Sequence, residues 1–334
     1  MNRSISFIAL LAWTQLLSAQ DFEVPRTEWG HPDLQGVWNF SSNIPMQRPE
    51  RFGDREFMTD EEVQALRDRL RAADEASDQA VPQSDGGPGG YNDFWVESAG
   101  SLDGRVRTSH IVYPPNGRYP PMVEGARIQF GGLGNDVPGE RPVRYTVGGI
   151  SKDGPEDRGL SERCIVGFNS GPPFMPSLYN NNVQIFQGMD SAVIMTEMIH
   201  DARTVQIYDS PADFPSLDEN LKLWSGISLG YYDDDSLVIV TRNFNGMAQS
   251  LEPFGTSAQK VLTEKFTRVD PYTVNYEWTL DDPGTFTDKI AAIVPMGKVD
   301  GQLYEYACHE GNYGMQNILR GERMEERRAE ESAN

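Results

Sequence analysis

The sequence predicts a mainly β protein, an antiparallel barrel or sandwich with an N-terminal arm and a covering helix. Three observations carry that reading. Short runs of β-branched and aromatic residues recur between turn residues over much of the chain, as in a sandwich or barrel. Lys and Glu at helical spacing are scarce from about residue 93 to Pro295, and only one stretch has a strong helical signature. No period of 20–50 residues repeats, which argues against a propeller or solenoid.

The chain opens on Arg3, an apolar run over 5–17 and a small-residue Leu17-Ser18-Ala19 site before Gln20. That is the pattern of a cleaved signal peptide over 1–19, the alternative being an uncleaved anchor. The run falls short of the ~20 apolar residues a membrane helix needs. No later stretch approaches that length, so no membrane span is expected after cleavage, and a periplasmic or secreted location follows.

Residues 20–92 read as an arm, a helix and a loop. His31-Pro32-Asp33-Leu34-Gln35-Gly36-Val37-Trp38 predicts a turn and one short strand, with Trp29 and Trp38 as anchors. Thr59 with Glu62 forms a capping box opening a helix over 59–77. Val63, Leu66, Leu70 and Ala73 give it one apolar stripe for the body. Residues 80–92 are a Gly- and Pro-rich loop. Its glycines lack the Lys and following helix of a phosphate-binding loop.

Residues 93–320 form the β-rich domain, with strands expected at 107–113, 143–147, 182–187, 193–199, 203–208, 226–232, 236–243, 260–269, 274–280 and 302–308. Two hairpins stand out. One turns at 233–235, where Asp tolerates the bend. The other turns at Asp270-Pro271-Tyr272, where Pro presets φ. Residues 321–334 are a charged helical tail.

The formal net charge is −21, and −22 once Arg3 leaves with the leader. Nucleic acid and anionic lipid carry the same sign and are excluded as partners. Cys164 and Cys308 are the only cysteines. In an oxidising compartment an even pair suggests a disulfide, with buried thiols or a reactive thiol as alternatives. On a strand, Cys308 and His309 would point to opposite faces, a poor nucleophile–base couple.

Two segments carry the candidate chemistry. Around the bend at 200–202, Glu197, His200, Asp201 and Arg203 combine an imidazole suited to proton transfer with carboxylates and a guanidinium that can hold an oxyanion. The bland reading is a hairpin turn held by ion pairs and backbone bonds. Near the C-terminus, Glu305 and His309 would share a strand face, with Glu310 and Tyr313 beyond them. There the bland reading is a satisfied structural His. If the two strand ends share one mouth, His200 and His309 with Glu197, Glu305 or Glu310 can move protons without a cofactor. No tight His spacing supports a metal, and none is assigned. Arg163, Tyr179 and Asn181 are candidate ligand-binding residues, although Asn side chains more often satisfy loop backbone. His110 reads as a strand residue and His31 as a turn residue. No serine elbow, CxxC, Walker or dinucleotide fingerprint is present.

Several phrases resemble a large group of secreted bacterial proteins of no established activity. They are the 31–38 segment, 106–121, Ser161-Glu162-Arg163-Cys164, 179–187, Glu197 through Arg203, Lys265 through Asp270, and Glu305 through Tyr313. The resemblance covers nearly all of the chain after the leader, and implies a compartment and a shared architecture. The chain departs from that group at Ile207-Tyr208-Asp209-Ser210 and at Tyr232-Asp233-Asp234-Asp235. A calycin-like or lipocalin-like barrel is an analogy from the strand pattern.

The function these residues predict is cofactor-independent acid/base catalysis. It would be an isomerase, cyclase or lyase acting on a small, largely apolar molecule in a barrel cavity. His200 and Arg203 would be paired with His309 and Glu305 or Glu310. The alternative is a ligand-binding or carrier protein with the same cavity, and a third class is an interaction protein.

Overall fold

A computed structural model describes residues 22–79, 102, 104–124, 126, 152–245 and 257–333. The leader at 1–19, the Gly/Pro loop at 80–92 and the expected strand at 143–147 lie outside the described residues.

Ten strands form one sheet: β1 (Gly36–Asn39), β2 (Ile111–Tyr113), β3 (Asn182–Gln187), β4 (Ser191–Thr196), β5 (Ala202–Tyr208), β6 (Ile227–Asp233), β7 (Ser236–Arg242), β8 (Val261–Asp270), β9 (Thr273–Asp281) and β10 (Ile290–Val299). The order β1-β3-β4-β5-β6-β7-β8-β9-β10 closes on itself through β1–β10, and β2 pairs with β10 as an extra strand. The result is a closed nine-stranded barrel with a tenth strand attached, and closure pairs each of the nine on both sides apart from one interval of β10. Of the two α-helices among the described residues, α1 (Asp60–Gln79) follows the arm and α2 (Tyr313–Ala333) follows the C-terminal coil.

Strict alternation builds the interior. On β9, Val274, Tyr276, Trp278 and Leu280 are at most 1% exposed, and Thr273, Asn275, Glu277 and Thr279 between them are not buried. On β10, Ile290, Ala292, Val294 and Met296 face the same core. Trp38 from the arm and Phe266 from β8 join them, so large side chains pack the barrel centre. Each such burial contributes about 1.5–3 kcal/mol relative to exposure. The expected ligand cavity inside the barrel is therefore occupied by the protein's own aromatic residues.

The arm seals one end. Gln187 accepts the Leu34 N–H at 2.7 Å and donates to the Pro32 carbonyl at 3.0 Å, while His31 stacks on Tyr232. This accounts for the His-Pro-Asp-Leu phrase at 31–34 as a plug. The helix begins where its capping box predicts. The Thr59 N–H donates to the Glu62 carboxylate at 2.8 Å, and the Glu62 N–H donates to Thr59 Oγ1 at 3.3 Å.

Four local differences from the sequence reading have physical causes. First, β4 ends at Thr196, because Met198–His200 turns as a short 3-10 segment with Ile199 and His200 at positive φ. Second, β5 and β6 pair in parallel, since 209–226 is a crossover connection and not a hairpin. Third, 302–307 is not a strand: it leaves the barrel after β10 as exposed coil. Fourth, β10 was hidden by Pro295, which normally argues against a central strand. The Ile293 N–H donates away from β9, to the His110 carbonyl. By alternation the nitrogen of Pro295 faces the same side. There β10 runs between its pairing with β2 at Ala291 and Ala292 and its pairing with β1 at Gly297–Val299. Pro295 costs no ladder bond because no strand lies opposite it on that side, while β9 pairs with the other.

Candidate functional site

The two sequence-predicted segments dock on one stretch of the chain. Cys164 and Cys308 are joined as a disulfide, with Cα atoms 5.8 Å apart, within the usual range for such bridges. Asn312 Nδ2 donates to the Glu162 carbonyl at 2.7 Å, while Ser170 Oγ donates to the Met198 carbonyl at 3.1 Å. The 162–170 stretch thus holds the C-terminal segment at one place and the β4–β5 bend at another.

The side chains proposed for proton transfer differ in burial and share no hydrogen bond with one another. His200 is exposed on the bend, and His309, Glu305 and Glu310 are exposed in the C-terminal coil and turn. None of these four has a side-chain hydrogen bond among the described residues. Tyr313, 71% exposed, starts α2. Glu197 is buried and accepts from Asn182 Nδ2 at 2.7 Å. Asn181 is fully buried, its amide accepting from the Ser177 N–H and donating to the Ser177 carbonyl, which makes it a loop brace. Tyr179 packs edge-on to Phe168, and Arg163 is half-exposed beside Cys164. Among the described residues, no three His, Cys, Asp or Glu side chains converge as metal ligands.

Arg203 alone of the set points into the barrel. Its Nη1 donates to Ser228, Thr241 and Glu264, and its Nη2 donates to Glu264 Oε1 at 2.9 Å. Glu264, wholly buried, also accepts the Tyr276 hydroxyl at 2.8 Å. Burial lowers the Arg203 pKa, but the Glu264 charge outweighs it and holds the guanidinium above its usual value. Burial first, and then Glu264, push the Tyr276 phenol well above its ordinary range. This is a bidentate charge pair whose oxygens are further satisfied by neutral donors. A cleft of about 350 Å³ over it is lined by Asp201, Arg203, Ser225 and Ser228 among others. Its hydrogen bonds run to Ser228, Thr241 and Glu264, so the cluster braces β5 against β6, β7 and β8.

A larger cleft, about 620 Å³, lies on the outside of the barrel wall. Its floor is the outward face of β9 and β10 at Thr273, Asn275, Ile293, Pro295 and Gly297; the arm at 41–44 and the 105–107 segment wall it. This is the interval of β10 left unpaired between β2 and β1. His110 fills the gap, with Nδ1 2.7 Å from the Ile293 carbonyl and Nε2 2.8 Å from Ser42 Oγ. A carbonyl only accepts, so Nδ1 carries the proton and Nε2 accepts the Ser42 hydroxyl. Burial, with the Arg107 charge adding to it, lowers the His110 pKa to about 4 and keeps the ring neutral at pH 7. Arg105 and Arg107 lie over the Phe57 ring at 3.8 and 4.8 Å, and Arg107 pairs with Glu56 at 3.6 Å. Arg105, Arg107 and Lys298 line the cleft together with a single carboxylate, Asp270.

Sequence reasoning placed His110 on a strand and missed its pairing with Ser42. The two residues are 68 positions apart, so no local pattern joins them. The usable signal was Pro295: within an otherwise β-forming run it marks a place where the ladder must be open.

No family model, curated protein or solved structure matches this chain.

Proposed function

We propose that the protein is an exported binding protein that holds a small organic anion in the cleft outside its barrel wall. The observation that carries this reading is the cleft itself: about 620 Å³, lined by Arg105, Arg107 and Lys298 on a chain of net charge −21. Ligand sites commonly measure ~300–1,000 Å³. A cationic concavity on an acidic protein concentrates anions locally, since the rest of the surface repels them. The neutral Ser42–His110 pair and Asn275 supply polar contacts, and Ile293 and Pro295 supply apolar floor for the organic part.

An exported location is supported by the apolar N-terminal run and the Cys164–Cys308 disulfide, a bond that persists in oxidising compartments. Among the described residues, no helix is long and apolar enough to cross a membrane. The barrel-cavity acid/base reading is less favoured. It needs His200 and His309 to face one guest, and neither lines this cleft or the smaller one over Arg203.

Calorimetric titration with a panel of aliphatic and aromatic carboxylates at low salt tests the proposal. Binding should weaken by about tenfold or more, ~1.4 kcal/mol, when Arg107 or Lys298 is replaced by Ala. It should also weaken as salt rises. Affinity unchanged by both substitutions would refute it.

A further inference from the structure

We infer that Ser42 and His110 form a nucleophile–base pair able to take an acyl group from a small ester seated in that cleft. The placement of the ester rests on the anion-cleft reading; the chemistry rests on the pair. Four features carry it.

The first is orientation. The Ile293 carbonyl fixes the His110 tautomer, so the lone pair of Nε2 faces Ser42 Oγ at 2.8 Å, a hydrogen-bonding distance suited to proton transfer. The second is that the hydroxyl is held from both sides. The Ile44 N–H donates to Ser42 Oγ at 3.0 Å, which leaves the single O–H directed at Nε2. The third is access: His110 is 3% exposed, whereas Ser42 is half-buried and both line the cleft. Both residues border the same space, so a leaving alcohol or a water held there can exchange a proton with the imidazole. The fourth is charge, because Arg105 and Arg107 stand in the same cleft to meet a developing oxyanion.

The steps balance without a co-reactant other than water. Ser42 Oγ bonds the ester carbonyl carbon while its proton passes to His110 Nε2. The carbon–alkoxy bond then breaks, and the alcohol leaves with the proton from Nε2. Water next attacks the acyl-serine and gives a proton to Nε2. The Ser42 ester bond breaks, the proton returns to Oγ, and a carboxylic acid departs. The third member of the relay is a neutral carbonyl, not a carboxylate, so the imidazolium formed in passing is poorly stabilised. Acylation and deacylation should both be slow.

The full chain is treated with p-nitrophenyl acetate and, separately, with an alkyl fluorophosphonate, and read by intact mass and peptide mapping. The expected result is a single adduct at Ser42. It should be absent in Ser42→Ala and reduced at least tenfold in Gly297→Leu. The latter fills the cleft, since a Cβ at Gly297 meets nothing within 4 Å, and leaves the pair in place. His110→Gln should lose labelling as well, with near-ultraviolet circular dichroism checking its fold. An unlabelled wild type, or labelling that survives Ser42→Ala, overturns the inference and leaves His110 as a plug for the gap in the β10 ladder. Carboxylate binding measured on Ser42→Ala separates the two proposals. Binding without labelling sinks only the acyl transfer, and labelling without carboxylate binding sinks only the anion site.

Discussion

Two of the buried polar clusters among the described residues differ in charge and in what borders them. Inside the barrel, Arg203 and Glu264 meet in a fork that Tyr276, Ser228 and Thr241 complete. In the barrel wall, His110 is equally buried but its partner Ser42 opens on a cleft. The first cluster is a charge pair bonded to itself and to three neutral side chains. The second is neutral, with one hydroxyl that solvent or a ligand can reach. Perturbed titration is common to both, so a shifted pKa alone does not distinguish strut from site. What distinguishes them is charge: the inner pair neutralises itself, whereas the wall pair is a neutral hydroxyl and imidazole beside the cations of its cleft.

The sharpest way to break this contrast is to remove one partner of the inner pair. Glu264→Gln leaves the Arg203 charge buried without its counter-ion, and Arg203→Met strands Glu264. Each should destabilise the fold by about 3–5 kcal/mol in denaturant unfolding. The double variant Arg203→Met/Glu264→Leu should recover most of that loss, because the site then carries no uncompensated charge. Single variants costing under ~1 kcal/mol would mean that water reaches the pair through the Asp201–Ser225 cleft and that it is not sealed.

The wall cluster gives a smaller, pH-dependent effect. His110 titrates near 4 in the folded protein, against ~6.5 for an unfolded chain. Between those values the unfolded state binds the extra proton, so acid favours unfolding. The stabilisation is complete above pH 6.5 and is lost as pH falls towards 4, by about 3 kcal/mol in all. A Gln at position 110 should remove this share of the pH slope. A wild-type unfolding free energy flat between pH 6.5 and 4 would show that the ring is not held neutral.

The same contrast marks what the sequence could and could not convey. Alternation along β9, the capping box at Thr59 and Glu62, and the turns at Asp234 and Asp270 are local, and each was legible. The cysteine pair was legible as one of several options, because only the fold brings positions 164 and 308 together. Closure into a barrel was open between two architectures, since strand pattern does not say which edges meet. Arg203 was read as facing a ligand because its partner, Glu264, lies 61 residues away on another strand. The Ser42–His110 pair escaped for the same reason. A polar residue's role depends on what completes its valence, and that information is non-local.

Within the wall cluster, Ser42→Ala removes the donor to a buried Nε2, which should cost about 1–2 kcal/mol where the acceptor is left unpaired. Thermal unfolding followed by circular dichroism reads this directly. A cost indistinguishable from zero would mean that water takes over the Ser42 contact, and hence that the cleft is wet up to the ring.

The smallest expected effect on stability belongs to Gly297, and it isolates the cleft from the fold. Gly297 sits on β10 between Asn39 of β1 and Thr273 of β9, and its Cβ position is open. A leucine there projects from the outward face without crowding either neighbour, so unfolding should shift by no more than about 0.5 kcal/mol. Its side chain nevertheless takes volume from a space of about 620 Å³ and covers the apolar floor beside Pro295. Carboxylate affinity should therefore drop while the melting curve and the acid slope of His110 stay as in the wild type. If leucine leaves carboxylate binding intact, the anion sits elsewhere, and the open valence of Ser42 is a feature of the wall and not of a binding site.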